Sequence, residues 1–98
     1  MLEFDWDERK RFINKEKHGI DFYFACRVFW GETLQKKVWK NGEERKIAIG
    51  KIGDDVIVVV FVERENTIRL ISARPASQDE RKFYQQRYPR NRKRDLGN

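Results

Sequence analysis

Arginines at the ends of the predicted strands are the side chains in this sequence that are best suited to chemistry. Arg45 begins one predicted strand, Arg64 follows the next, and Arg74 closes the last. Guanidinium groups bind phosphate through paired hydrogen bonds and stabilise charge that develops on phosphorus. A site built from such arginines would suit the cleavage of RNA without a metal ion. The alternative is that these strand-end arginines are solvated surface groups.

Cleavage of RNA also needs a general base, because a group must take the proton of the attacking 2′-hydroxyl. Arginine keeps its proton and is a poor base. The sequence offers His18, Glu44 or a lysine of perturbed pKa for this role. For His18 the structural alternative is a cap at the end of a helix, where its charge would favour the helix dipole.

Other basic and aromatic side chains are candidates for contact with RNA. Tyr84 lies on the predicted closing helix, where it could stack on a base or contact a phosphate. The basic residues that are predicted to bind RNA are Lys17, Arg69, Arg81 and Arg87.

The sequence lacks the residue patterns of metal and cofactor sites. It has one histidine, one cysteine and no cluster at metal-ligand spacing, so we expect no metal site. No glycine-rich loop stands between a strand and a helix, so we expect no cofactor. The single cysteine, Cys26, cannot form an internal disulfide, and its apolar neighbours predict a buried, unreactive thiol.

The charge of the chain predicts a polyanionic partner. Lysine and arginine number 22 against 16 acidic residues, which gives a net charge of +6. The longest apolar run, over 56–62, is too short to span a bilayer. With no signal-peptide pattern at the N-terminus, we expect a cytoplasmic protein without a membrane partner.

The first third of the chain predicts a short strand and two helices. Alternating apolar residues indicate the strand. Asp5 and Glu8 have the spacing of a capping box, which begins a helix that Gly19 ends. A second helix, capped by Asp21, has one apolar face and stops at Gly31.

The remainder predicts strands followed by a closing helix. Asn41-Gly42 is a strong hairpin-turn signal. The unbroken apolar run over 56–62 is typical of a central strand that is covered on both faces. Ser77 and Glu80 form a second capping box, which opens a helix to about Arg87. The predicted strands cover 34–40, 45–50, 56–62 and 67–74.

This order predicts an α+β fold. Short turns require antiparallel pairing, and we expect two N-terminal helices and a C-terminal helix packed on one face of a small antiparallel sheet. Residues 1–89 form the predicted domain, and 90–98 form a basic tail that we expect to be flexible.

Antiparallel pairing also predicts where the arginines meet. Arg45 and Arg64 can approach the same end of the sheet if the central strand is their shared neighbour. Arg74 would lie at the end opposite Arg64 if the last strand is adjacent to the central strand. Arg69 and Arg74 would face opposite sides of the sheet unless a bulge intervenes.

Four short segments, in order over about residues 2–84, resemble the BrnT family of toxins. They are Phe4-Asp5-Trp6-Asp7, then Asn14-Lys15-Glu16-Lys17-His18-Gly19-Ile20-Asp21-Phe22, then Glu44-Arg45-Lys46-Ile47-Ala48-Ile49-Gly50, and last Ile68-Arg69-Leu70-Ile71-Ser72-Ala73-Arg74 with Ala76, Glu80-Arg81 and Tyr84.

The resemblance implies a RelE-like fold and a ribonuclease toxin of a type II toxin–antitoxin system that inhibits translation. It implies a BrnA-like antitoxin that carries a DNA-binding domain, so that operator DNA is contacted only through the antitoxin. By position in the fold, the family's catalytic residues would correspond to Arg45, Arg64, Arg74 and Tyr84.

The sequence also departs from this family. Where many members carry Asp-Pro after the second helix, residues 30–33 differ, and Trp39 stands where members often have a histidine. If that histidine is an acid or base, the alternative is a catalytically weak homologue that binds its antitoxin and acts as a co-repressor. A third reading, a basic RNA-binding domain unrelated to toxins, lacks the usual aromatic RNA-binding motif.

Overall fold

The computed structural model describes residues 2–89, and the predicted tail over 90–98 lies outside them. The elements, in chain order, are β1 (Glu3–Asp5), α1 (Glu8–His18), α2 (Phe22–Ala25), a 3₁₀ helix (Cys26–Trp30), β2 (Thr33–Lys40), β3 (Glu43–Ile52), β4 (Asp55–Arg64), β5 (Thr67–Pro75) and α3 (Gln78–Arg87). The second predicted helix is thus a single α-helical turn that tightens into a 3₁₀ helix.

Within residues 2–89, five strands form one mixed sheet in the order β1-β5-β4-β3-β2. As predicted, β4 is central and β2 to β5 pair antiparallel, with Asn41-Gly42 in a left-handed turn. β1 pairs parallel with β5, so the prediction of a purely antiparallel sheet is wrong at this strand. Because helices and three strands separate β1 from β5, no tight turn dictates their relative direction.

Helices cover both faces of the sheet, so the prediction of helices on one face is wrong. We call the face that carries Val59 the inner face, and the face that carries Arg74 the outer face. The inner face packs against α1, α2 and the 3₁₀ helix. α3 lies on the outer face, because its Glu80 binds Arg74. This second layer explains why the run over 56–62 in β4 is apolar on both faces, since Val58 is buried on the outer face.

The main core lies between the inner face and the N-terminal helices. Gly50 of β3 allows the 3₁₀ helix to approach closely, since a Cβ built there would lie 2.7 Å from the Cβ of Val28. The buried residues of this cluster are Phe22, Ala25, Val28, Ala48, Ile57, Val59, Phe61, Ile68, Leu70 and Ala73.

A β-bulge in β5 changes which side chains face the core. Val60 pairs with Ser72, but the next residue, Phe61, pairs with Leu70, which leaves Ile71 without an opposite residue. One extra residue reverses the alternation of faces. Arg69 and Arg74 therefore both point to the outer face.

Capping side chains begin the helices, although one predicted cap is displaced. Asp7, and not Asp5, caps α1 by accepting from the N–H groups of its first turn. The Asp5 carboxylate instead accepts from the N–H of Trp6. Two other predicted helix boundaries are confirmed: Gly19 ends α1 with φ of 74°, and a capping box at Ser77 begins α3.

Asn14 of α1 joins the helix layer to the edge of β5. β1 pairs with β5 only as far as Arg69, so no strand lies beside Ala73 at that edge of the sheet. The buried Asn14 amide donates to the Ala73 carbonyl at 2.9 Å and accepts from its N–H at 3.0 Å, as a neighbouring strand would. It also donates to the carbonyl of Ile20 at 2.9 Å.

We predict that Asn14→Leu lowers the free energy of unfolding by about 3 kcal/mol, because the N–H and carbonyl of Ala73 would be buried without partners. Urea unfolding followed by tryptophan fluorescence measures the change. Glu16→Ala, on the exposed side of the same helix, should change stability by less than about 0.5 kcal/mol. Equal stability of the two variants would contradict this role for Asn14.

Candidate functional site

Arginines from three adjacent strands line one depression of about 650 Å³, which also reaches the start of α1. Arg45 comes from β3, Arg64 from the end of β4, and Arg69 from β5. The pairing of Arg64 with Thr67 and of Val62 with Arg69 places Arg64 and Arg69 on the same face. The prediction that Arg45 and Arg64 lie at one end of the sheet is therefore confirmed.

The three arginines differ in their partners. Arg69 forms an ion pair with Asp5 at 2.5 Å, and Arg45 forms one with Glu43 at 3.3 Å. Within residues 2–89, the side chain of Arg64 forms no hydrogen bond or ion pair. The depression thus contains two guanidinium groups held by carboxylates and a third that is free to bind an anion.

Arg74 lies at the opposite end of β5, as antiparallel pairing predicts. It pairs with Val58 on β4, whereas Arg69 pairs with Val62, four residues along the strand. At about 3.3 Å per residue, this separates the two arginines by about 13 Å. The structure therefore does not bring Arg74 to the other three arginines.

The guanidinium group of Arg74 is instead committed to α3. It donates two hydrogen bonds of 2.8 Å to the two carboxylate oxygens of Glu80. These bonds to Arg74, with further hydrogen bonds from Ser77, lower the pKa of Glu80 to about 2. Arg74 thereby joins β5 to the first turn of the closing helix.

Tyr84 also serves the attachment of α3. Its ring is buried, and its hydroxyl donates to the Glu32 carbonyl at 2.9 Å, just before β2 begins. Burial raises the pKa of the Tyr84 hydroxyl. Tyr84 does not line the depression of the arginines.

His18 and Glu44, the two general bases predicted by name, both lie outside the depression. His18 is the last residue of α1, as its structural alternative requires. Glu44 faces away from Arg45, because neighbours on a strand point to opposite faces. It forms an ion pair with Lys37 at 3.7 Å.

Of the residues predicted to bind RNA, only Arg69 joins the site. Lys17 is exposed in the last turn of α1. Arg81 lines a second depression, of about 450 Å³, between the end of α1 and the start of α3. Arg87 lies 5.2 Å from the ring centre of Tyr88.

Sequence reasoning missed the other side chains that line the depression. Lys10 belongs to the first part of α1, and the carboxylates come from Asp5, Asp7, Glu43 and Glu65. The parallel pairing of β1, which brings Asp5 to Arg69, had no signal in the sequence. Glu65 falls between the predicted strands over 56–62 and 67–74, and no pattern in the sequence marks it for chemistry.

Comparisons with known proteins identify the family. A family model described as the ribonuclease toxin BrnT of type II toxin–antitoxin systems matches residues 6–80. The chain belongs to the BrnT family. It is also similar to the crystal structure of the Brucella abortus ribonuclease toxin BrnT, with 33% identity and a TM-score of 0.62, over 80% of this chain and 100% of that chain. A comparison with curated proteins found no match.

Membership of the BrnT family makes this chain a toxin of the type II toxin–antitoxin class, in a family described as ribonuclease toxins. The matched region includes the arginines of the depression and Arg74, but neither Asp5 nor Tyr84. Over residues 2–89 no group of three or more His, Cys, Asp or Glu side chains is placed so that it could hold a metal ion, and no helix is long and apolar enough to span a membrane. Cys26 is half-buried and not fully buried as predicted, but this burial raises the pKa of its thiol, which fits an unreactive group.

The lowered pKa of Glu80 predicts a pH-dependent contribution to stability. This contribution is present above the usual pKa of about 4.5 and is lost as the pH falls towards about 2. The stability of the wild type should therefore fall more steeply between pH 5 and pH 2 than that of Glu80→Gln. At neutral pH the variant should be less stable by on the order of 1 kcal/mol, given solvent screening.

Urea unfolding across this pH range measures the difference, and Glu16→Gln is the control for loss of one exposed carboxylate. Parallel pH profiles for the wild type and Glu80→Gln would show that the Arg74–Glu80 pair does not stabilise the attachment of α3.

Proposed function

We propose that this protein is an endoribonuclease that needs no metal ion and that inhibits translation by cleaving RNA. The observation that carries the proposal is the convergence of Arg45, Arg64 and Arg69 on one depression. Guanidinium groups supply the positive charge that a phosphodiester requires as its phosphorus becomes five-coordinate. The RelE-like fold that the family resemblance implies is compatible with this chemistry, and the RelE-like assignment stays a prediction.

The arginines have different roles in the proposed reaction. Arg64, whose side chain forms no ion pair within residues 2–89, binds a non-bridging phosphate oxygen in the substrate complex. Arg45 and Arg69 are held in position by Glu43 and Asp5. They donate to the phosphate as negative charge accumulates in the transition state, because a stronger acceptor then competes with the carboxylates.

Arg74 and Tyr84 act in this proposal through the attachment of α3 and not on the substrate. Both side chains have their polar groups bound to the protein, at Glu80 and Glu32. Substitution of either residue would therefore change activity by moving α3.

The position of Trp39 supports an active enzyme over an inactive co-repressor. Trp39 pairs with Glu44 and so faces away from Arg45. Its side chain is 70% exposed and does not line the depression. The departure from the family at this position therefore removes no group from the arginine site.

The partner we propose is a BrnA-like antitoxin in the bacterial cytoplasm. In the toxin–antitoxin complex, only the antitoxin contacts operator DNA. α3 leaves an apolar strip of the outer face half-buried beside the arginines, formed by Ile47, Val60, Val62 and Ile71. An antitoxin segment that combines acidic and apolar side chains would fit this strip and exclude RNA from the depression.

We predict that Arg64→Ala lowers the single-turnover rate of RNA cleavage by about 10²–10³-fold, because a donor to the developing charge is lost. RNA affinity should fall by less than about tenfold, since a single phosphate contact is removed. Arg9→Ala, which removes an exposed charge elsewhere, is the control. An unchanged rate in Arg64→Ala, or cleavage that stops in EDTA, would refute the mechanism.

We also predict that the antitoxin complex survives moderate salt, because its apolar contacts are not screened. Val62→Glu should weaken the complex by at least about tenfold, since a charge would be buried in the contact. Titration calorimetry with the product of the neighbouring antitoxin gene, at low and at moderate salt, measures both effects. A complex that dissociates in moderate salt, or that tolerates Val62→Glu, would place the antitoxin elsewhere.

A further inference from the structure

Among the described residues, the carboxylates in the arginine depression belong to Asp5, Asp7, Glu43 and Glu65, and most of them are occupied. Asp7 accepts from two backbone N–H groups of α1, at 2.8 and 3.3 Å. Asp5 and Glu43 each accept from one of the arginines. Glu65 alone has no hydrogen bond or ion pair with another residue in 2–89.

The backbone at Glu65 is strained. Glu65 has φ of 54°, in the left-handed region, where a residue with a large side chain costs on the order of 1 kcal/mol. In the hairpin between β2 and β3, the residue with a similar positive φ, of 53°, is Asn41. Asparagine is the less costly choice, because its side chain tolerates this region. A glutamate at this position is therefore not explained by the turn.

Neighbouring strands fix the direction of this turn. Arg64 and Thr67 close the hairpin, and the Asn66 carbonyl accepts from the N–H of Glu3 on β1 at 2.8 Å. Glu65 is therefore held at the rim of the depression, next to Arg64 in the chain.

Glu65 also borders a smaller depression that contains Lys37 and Lys46. These lysines already have partners, since Lys37 pairs with Glu44 at 3.7 Å and Lys46 pairs with Glu63 at 2.8 Å. The carboxylate of Glu65 is not needed there as a counter-charge, which leaves it available to the arginine site.

We propose that Glu65 is the general base of the RNA-cleaving reaction, an inference that rests on the proposed function. Its carboxylate takes the proton of the 2′-hydroxyl while the 2′-oxygen forms a bond to phosphorus. The bond between phosphorus and the 5′-oxygen breaks, and that oxygen takes a proton from water. Glu65 returns its proton to the resulting hydroxide. The products are a 2′,3′-cyclic phosphate and a 5′-hydroxyl.

The test compares Glu65→Gln and Glu65→Asn with the wild type in single-turnover cleavage of a single-stranded RNA at saturating protein. Both variants should cleave about 10²–10⁴-fold more slowly, which is the contribution of a positioned general base. RNA affinity should be unchanged or slightly higher, because one negative charge is removed. Glu65→Asn should unfold at equal or higher urea concentration, because asparagine suits the left-handed turn.

The matched control is Glu63→Gln, which removes the same charge two positions away on the opposite face and should cleave at close to the wild-type rate. Wild-type rates in both Glu65 variants, beside a slow Arg64→Ala, would overturn the role of Glu65 and leave the proposed function intact. A wild-type protein that leaves RNA uncut would overturn both.

Discussion

The ion pair between Arg74 and Glu80 determines how much of the outer sheet face α3 can cover. Glu80 accepts two hydrogen bonds from Arg74 and also accepts from the N–H of Ser77, which closes the capping box of the helix. One carboxylate thus ties the end of β5 to the start of α3 and directs the helix back over one end of the sheet. Val56 and Val58 are buried on that face, and the other end, with its arginines, stays open.

Because of the bulge at Ile71, β5 contributes both to the core, through Ala73, and to the ion pair with α3, through Arg74. Without it, regular alternation from Leu70 would turn Ala73 to the outer face and Arg74 into the core. The extra residue restores Ala73 to the inner face, where its backbone meets Asn14. The position of α3, and hence the extent of the open arginine face, depends on one unpaired residue in β5.

The sequence predicted what local signals determine. Turn residues and apolar periodicity predicted the antiparallel strands, the closing helix and the central position of β4. Antiparallel pairing of these strands predicted that Arg45 and Arg64 lie near each other. The sequence did not predict the features that depend on contacts distant in the chain. These are the parallel pairing of β1, the bulge at Ile71 and the placement of α3 on the outer face. The contacts of Arg74 and Tyr84 were not predicted for the same reason, since their partners lie on elements whose packing no local pattern reveals.

The balanced charge of the depression means that the residues that attract RNA and the residues proposed to cleave it lie in different parts of the protein. Lys10 and the three arginines are matched by four carboxylates, so this part of the surface carries no excess positive charge. The net charge of +6 must therefore lie elsewhere, and residues 90–98 alone contain four basic side chains and one acidic side chain. A site of balanced charge exerts little long-range attraction on a polyanion. It can still stabilise a transition state. The guanidinium groups that are paired with carboxylates shift towards the phosphate only when the negative charge on the phosphate increases.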